Sequence, residues 1–263
     1  MSSIKKVAII GNVGSAVLAE FLKNGLDVTV ISRSSQEVPA GARAAQADYN
    51  SITSLSSALK GHDAVVSAVG AAGIVGQEVI MMPPFLLASN KAAAGEIEYT
   101  ILSTGAFLDF VFGTPLFVDF QNRSVEFYGD DKLRLSSTSI AGIGKAVAGT
   151  LVNADKTKNR VLHIQETVVS QVKVLDLAKT AAPEGAGWKE MSVDPEETLG
   201  AARVNAAKNP GDTFALYALI KAIILSGKYE TEYREVDNDL IGLVQLTDGD
   251  LKAQFVPLLA RAP

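Results

Sequence analysis

The sequence predicts an α/β fold: a parallel sheet with helices on its faces, lacking one strand, and a smaller, mainly helical lobe after it. Three observations carry this. Lys5 to Arg33 reads as strand, glycine turn, helix and strand. Apolar or β-branched runs recur at Arg43–Asp48 and Ala64–Val69 with a helical pattern between them, the spacing of crossover-linked parallel strands. From Ser170 onward helical patterns dominate.

The elements follow in order. Lys5–Ile10 is a short apolar strand that meets Gly11-Asn12-Val13-Gly14, and Ser15–Lys23 is a helix closed by Asn24-Gly25. Asp27–Ile31 is a β-branched strand, so the unit is a Rossmann-like βαβ, whose first turn is the place where that fold holds a pyrophosphate. Gly11 and Gly14 suit the role because a Cβ would keep backbone N–H groups away from phosphate, while the helix N-terminus adds partial positive charge. Of the three-glycine fingerprint only G-x-x-G is present. Ser32-Arg33-Ser34-Ser35 lies at the tip of the second strand, where a nicotinamide dinucleotide presents its adenosine ribose. An acid there suits NAD, and an arginine flanked by hydroxyls suits the 2′-phosphate of NADP(H). Arg33 is therefore a candidate cofactor ligand, with a surface arginine as the plain alternative.

Arg43–Asp48 is a weaker third strand, and Asp48 at its end falls near the adenine edge or is an ordinary surface aspartate. Ser51–Leu59 is a helix capped by Asn50 or Ser51, Gly61-His62-Asp63 turns the chain, and Ala64–Val69 is the clearest buried strand after the first. The end of a fourth strand faces the cofactor in a doubly wound sheet, so Val69 and Gly70 are candidate contacts to the adenosine or nicotinamide ribose, or else the start of a loop. Gly70–Gly76 satisfies G-x-x-G-x-x-G, yet nothing ribose-binding follows it. Pro83-Pro84 interrupts the pattern where another strand is expected.

Glu98–Ser103 is a strand, and Phe107–Phe112 after it is either a substrate wall or packing for a second lobe. Ser136–Val152 reads as a helix starting near Thr138 or Ser139, Val161–Ile164 as a strand, Thr213–Leu225 as an apolar helix, and Asp248 opens the last helix. The domains are then 1–166 for the dinucleotide-binding part and 167–263 for the substrate lobe, with 106–136 contributing to the latter.

Composition narrows the function. With 48% hydrophobic and 20% charged residues the chain is globular, and a net charge of −5 without a basic run argues against direct nucleic-acid contact. No cysteine is present, which removes disulfides, thiolate catalysis and Cys-type zinc sites. His62 and His163 stand alone, so no metal site is expected. Thr213–Leu225 is too short to span a bilayer, and no signal-type segment is read at the N-terminus, so a soluble, cytoplasmic protein is expected. Tyr-x-x-x-Lys, the spacing by which a lysine lowers a catalytic tyrosine's pKa, occurs at Tyr128–Lys132 across a turn and at Tyr217–Lys221 on a helix far from the expected place. The catalytic residues are left unassigned.

With those residues laid out, the chain resembles the isoflavone-reductase-like and NmrA-like group of atypical short-chain dehydrogenases, over Val7–Leu22, Val28–Ser34, Ala64–Gly76, Tyr99–Phe110, Ser136–Ala148 and Lys221–Leu251. The resemblance implies an NADP(H)-binding fold with a small substrate lobe, Gly11 and Gly14 on the pyrophosphate, Arg33 on the 2′-phosphate and Phe107 near a substrate. Three departures matter. The family's G-A-T-G-x-x-G turn is here three residues shorter, the block that bears the catalytic lysine is absent after Ile80, and Gly142 stands where an aspartate is common. Lys91 does not align with the missing lysine. The resemblance thus implies NADPH-dependent reduction of a small aromatic or phenolic substrate, a non-catalytic cofactor-binding regulator or sensor, or a shortened inactive product.

Overall fold

The computed structural model describes residues 4–11, 15–49, 51–68, 90–129 and 133–259. The chain divides into two units, one formed by Met1–Ser103, Ile140–Leu162 and Asp237–Leu243, the other by Thr104–Ser139, His163–Val236 and Val244–Pro263. Along the sequence the main elements are β1 (Lys6–Gly11), α1 (Ser15–Lys23), β2 (Asp27–Ser32), β3 (Ala42–Gln46), α2 (Ile52–Leu59), β4 (Ala64–Ala68) and β5 (Thr100–Ser103). There follow β6 (Ala106–Phe107), α3 (Leu108–Gly113), β7 (Ser124–Tyr128), β8 (Leu135–Thr138), α4 (Ile140–Val152), β9 (Arg160–His163) and β10 (Thr167–Val169). The chain ends through α5 (Gln171–Ala181), β11 (Lys189–Val193), α6 (Pro195–Lys208), α7 (Thr213–Leu225) and α8 (Asp248–Leu259).

In the first unit β3, β2, β1 and β4 form a parallel sheet in that order. Alternation along β1 decides which helix covers which face. Val7 and Ile9, with Val28 and Val30 of β2, point to one side and are buried with Val17, Leu18 and Phe21 of α1 and Ala148 and Leu151 of α4. Ala8 and Ile31 point to the other side, against Leu55, Ala58 and Leu59 of α2. The sheet is therefore covered on both faces, as the run of apolar residues in its two inner strands requires. Ser51 caps α2, its side chain accepting from the Ser54 N–H at 3.3 Å, and Gly25, at φ +73°, ends α1 as the Asn24-Gly25 pair predicts. Gly149 of α4 lies against the Ile241 carbonyl of the short helix Asn238–Ile241 so closely that a Cβ would collide with it.

Two expectations are corrected. Ala64–Val69 is not a deeply buried strand: β4 alternates between half-buried and exposed residues, and Val65 is 49% exposed. Among the described residues β4 has a ladder partner only in β1. β5 and β9 pair with each other in a separate ladder, while the Pro83-Pro84 break lies outside the described residues. The segment Ser136–Thr138 is strand rather than helix, its side chains fully buried, and helix begins only at Ile140. Serine and threonine tolerate that burial because each hydroxyl finds a partner: Ser136 Oγ donates to Gln165 Oε1 at 2.6 Å and Thr138 Oγ1 to the Thr104 carbonyl at 2.8 Å.

The second unit holds α3, α5, α6, α7 and α8 together with short ladders in the orders β10-β8-β6 and β11-β7. Its core gathers Leu108, Val111, Phe112, Phe117, Phe120, Val174, Leu175, Leu225, Leu251 and Phe255. Phe255 stacks on Phe120 at 4.9 Å and meets Phe112 edge-on at 5.4 Å. Gln171 is buried and ties β7 to α5, donating to the Glu126 carbonyl at 2.7 Å and accepting from the Tyr128 N–H at 3.3 Å.

Candidate dinucleotide site

The strand order β3-β2-β1-β4 means that the chain winds outward from β1 through β2 and β3, then returns to the other side of β1 as β4. In open α/β sheets such a reversal is where crossover helices diverge and ligands bind, here the carboxyl ends of β1 and β4. Gly11, the last residue of β1, pairs there with Ala68, the last of β4. The expected phosphate turn continues from Gly11 into α1; its remaining members Asn12, Val13 and Gly14 lie outside the described residues, as do Val69 and Gly70.

One strand over, β2 ends at Ser32, and Arg33 follows with its side chain exposed. Among the described residues no carboxylate pairs with the Arg33 guanidinium, whereas Arg43 is tied to Asp27 at 2.7 Å and Arg160 to Asp237 at 3.1 Å. A guanidinium left to solvent at the carboxyl edge of the sheet is available to an anion. The backbone beneath it is held in place by β3 and the loop after it. Gln46 Nε2 donates to the Arg33 carbonyl at 3.0 Å, Tyr49 Oη to the Ile31 carbonyl at 2.8 Å, and Ala47 N–H to the Ser32 carbonyl at 2.9 Å. Ser32 Oγ donates to the Ser34 carbonyl. Asp48 is exposed one residue beyond Ala47, its N–H donating to Ser54 Oγ at 3.0 Å and its carbonyl accepting from Ser51 N–H. The sequence reading picked out Arg33 and Asp48 but missed Gln46 and Tyr49, whose roles depend on the β2–β3 register, with Ser32 opposite Gln46.

Phe107 belongs to the second unit, at the residue before α3, and is 49% exposed. The aromatic run divides: Leu108, Val111 and Phe112 enter that unit's core, while Phe110 meets the Tyr217 ring at 5.5 Å. Of the two Tyr-x-x-x-Lys matches, Lys132 lies outside the described residues. Lys221 Nζ is bound to Glu126 Oε2 at 2.8 Å and sits 5.7 Å from the Tyr128 ring centre. Burial, and then the Glu126 carboxylate, push the Tyr128 hydroxyl up to about 12. That is the reverse of what a phenol poised for proton transfer at neutral pH needs. Lys91 is engaged by Glu96 at 2.5 Å. His62 Nδ1 lies 3.1 Å from the Leu59 carbonyl, and the His163 ring packs on Tyr233 at 4.8 Å. Among the described residues no group of three His, Cys, Asp or Glu side chains gathers as a metal site, and no helix is long and apolar enough to cross a membrane.

Residues 10–93, which run from the end of β1 past β4, match the family model for NAD(P)H binding. The chain carries an NAD(P)H-binding domain. A curated relative, oxidoreductase poxI of Penicillium oxalicum, is 27% identical over 207 residues, 63% of this chain and 65% of that protein. The chain thus spans about 65% of the length of the curated relative it matches. Among solved structures, the NADP(H) complex of Citrobacter sp. triphenylmethane reductase aligns with TM-score 0.67 at 16% identity, covering 95% of this chain and 99% of that one. The NADPH complex of Vitis vinifera leucoanthocyanidin reductase aligns with TM-score 0.64 at 16% identity, covering 96% and 99%. These likenesses show the fold, and the NAD(P)H-binding domain read from Gly11 and the strand pattern is borne out.

Proposed function

We propose that this protein binds NADPH across the carboxyl ends of β1, β2 and β4 and belongs functionally with NADP(H)-dependent oxidoreductases of small, aromatic substrates. The observation that carries the reading is the exposed Arg33 guanidinium one residue beyond β2, which has no carboxylate partner among the described residues and lies on the same carboxyl edge of the sheet as Gly11. In this reading Arg33 takes the 2′-phosphate, and Gly11 to Gly14 take the pyrophosphate through backbone N–H groups. Val69 and Gly70 border the ribose on the β4 side, and Asp48 faces the adenine. Bound NADPH supplies a hydride; the chain's own part is to hold the dinucleotide and to seat a substrate, for which Phe107 is the proposed contact.

A second reading, a cofactor-binding regulator that turns nothing over, is favoured by one observation. The lysine-bearing block of the family is missing, and the lysines Lys91 and Lys221 are each tied to a glutamate. Titration of the purified protein with NADPH and NADH tests the shared part, with preferential NADPH binding expected. NADPH oxidation against a panel of aromatic ketones and phenylpropanoids then divides the readings. Tight NADPH binding with no turnover removes the reductase and leaves the sensor, and binding of neither dinucleotide removes both.

A further inference from the structure

The loop that carries Arg33 is tied down through its carbonyls. The four consecutive carbonyls of Ile31, Ser32, Arg33 and Ser34 all accept hydrogen bonds, from Tyr49 Oη, Ala47 N–H, Gln46 Nε2 and Ser32 Oγ respectively. Three of the four donors come from the last residue of β3 and the three residues after it. A phosphate approaching this loop is repelled by any carbonyl oxygen turned toward it and attracted by the guanidinium. Engaging these four carbonyls on the protein's own donors reduces the first effect and leaves the second. Fixing the Arg33 backbone also lowers the ordering cost of forming a bidentate pair.

We infer that Gln46 is a positioning residue for 2′-phosphate recognition: it sets NADPH over NADH by holding the Arg33 carbonyl, with Tyr49 bracing the strand end behind it. The inference rests on the dinucleotide reading above and deepens it. The geometry is specific to this residue. Gln46 stands opposite Ser32 in the parallel register, so an amide at the end of two methylenes reaches the carbonyl of Arg33, the residue just past β2. Tyr49 is anchored differently: its ring packs with Ala8, Ile31 and Ala47 beneath the sheet while its hydroxyl emerges at the Ile31 carbonyl. Gln46 is exposed, so replacing it leaves the core of the unit untouched.

The test is a binding titration of the full chain with NADPH and NADH, by nucleotide fluorescence, on wild type, Gln46→Met, Arg33→Ala and the double variant. Competition with 2′,5′-ADP and with 5′-AMP accompanies it. Methionine keeps the length of glutamine and removes the donor. NADPH affinity is expected to fall roughly fivefold, the effect of one hydrogen bond, with NADH and 5′-AMP unchanged and 2′,5′-ADP weakened in parallel. In the Arg33→Ala background Gln46→Met is expected to change nothing further, because its effect runs through that arginine. Equal losses for NADPH and NADH would mean that Gln46 only supports the fold, and an undiminished preference for NADPH in Gln46→Met would mean that it has no role; either overturns the inference while the dinucleotide reading stands. Wild type that binds neither nucleotide takes both down.

Discussion

Phe255→Ala is the sharpest probe of how the second unit is held together. Phe255 is fully buried in α8, stacked at 4.9 Å on Phe120 and edge-on at 5.4 Å to Phe112. Truncation removes a large buried ring and leaves a cavity that the neighbouring aromatics cannot fill by small rotations. Such changes cost about 3–5 kcal/mol, and the two ring contacts place this site toward the upper end. Against a total stability of about 5–15 kcal/mol for a typical domain, that is a large fraction. The chain contains a single tryptophan, Trp188, which packs against this same core, so its fluorescence during urea unfolding reports on this unit. The expected result is a lower unfolding midpoint with an unchanged slope, and a smaller loss for Phe255→Leu. A loss below about 1 kcal/mol would refute the packing argument, since truncating a fully buried phenylalanine typically costs about 3–5 kcal/mol.

Other outcomes follow from single contacts. Arg33→Ala is expected to weaken NADPH about 10- to 100-fold in an equilibrium titration while NADH binding holds, the range of one charge-assisted, bidentate pair. Gly149→Val drives a side chain into the Ile241 carbonyl and is expected to destabilise the first unit by about 1–3 kcal/mol, read as a lower thermal midpoint by circular dichroism. Tyr128 keeps its proton in the folded protein up to about pH 12, against about 10 when unfolded, so the stability it contributes is full below pH 10 and is lost as pH rises through 12. Comparing wild type with Tyr128→Phe by urea unfolding at stepped pH is expected to show a shallower alkaline decline for the phenylalanine variant.

Much of the first unit was legible because its signals are local. The run Lys5–Ile31 alternates apolar residues, closes its helix at Asn24-Gly25 and places glycine at the end of β1, and each of those choices agrees with the sheet that forms. β4 was misjudged for the opposite reason. Its composition suits a buried strand, but burial depends on a neighbour beyond it, and Ala64–Ala68 cannot say whether one exists. Ser136–Thr138 reads as a helix cap because serine and threonine favour caps, yet long-range partners at Thr104 and Gln165 make it a buried strand. The candidate site shows the same division. Arg33 is visible as a residue type at a strand tip, whereas the contribution of Gln46 appears only once β3 is laid beside β2 in register.

The first unit is assembled from pieces at both ends of the chain, Met1–Ser103, Ile140–Leu162 and Asp237–Leu243. On a ribosome, adding roughly 5–20 residues per second, the last piece follows β1 by on the order of 10–50 s. Until α4 emerges, Val17, Leu18 and Phe21 lack the Ala148 and Leu151 side chains that cover them in the finished unit. The nascent protein therefore passes through an interval in which that apolar face of α1 and the sheet lacks its α4 cover. A fragment cut after β4 keeps the sheet and its α2 cover but lacks the Ala148 and Leu151 side chains that bury the opposite face.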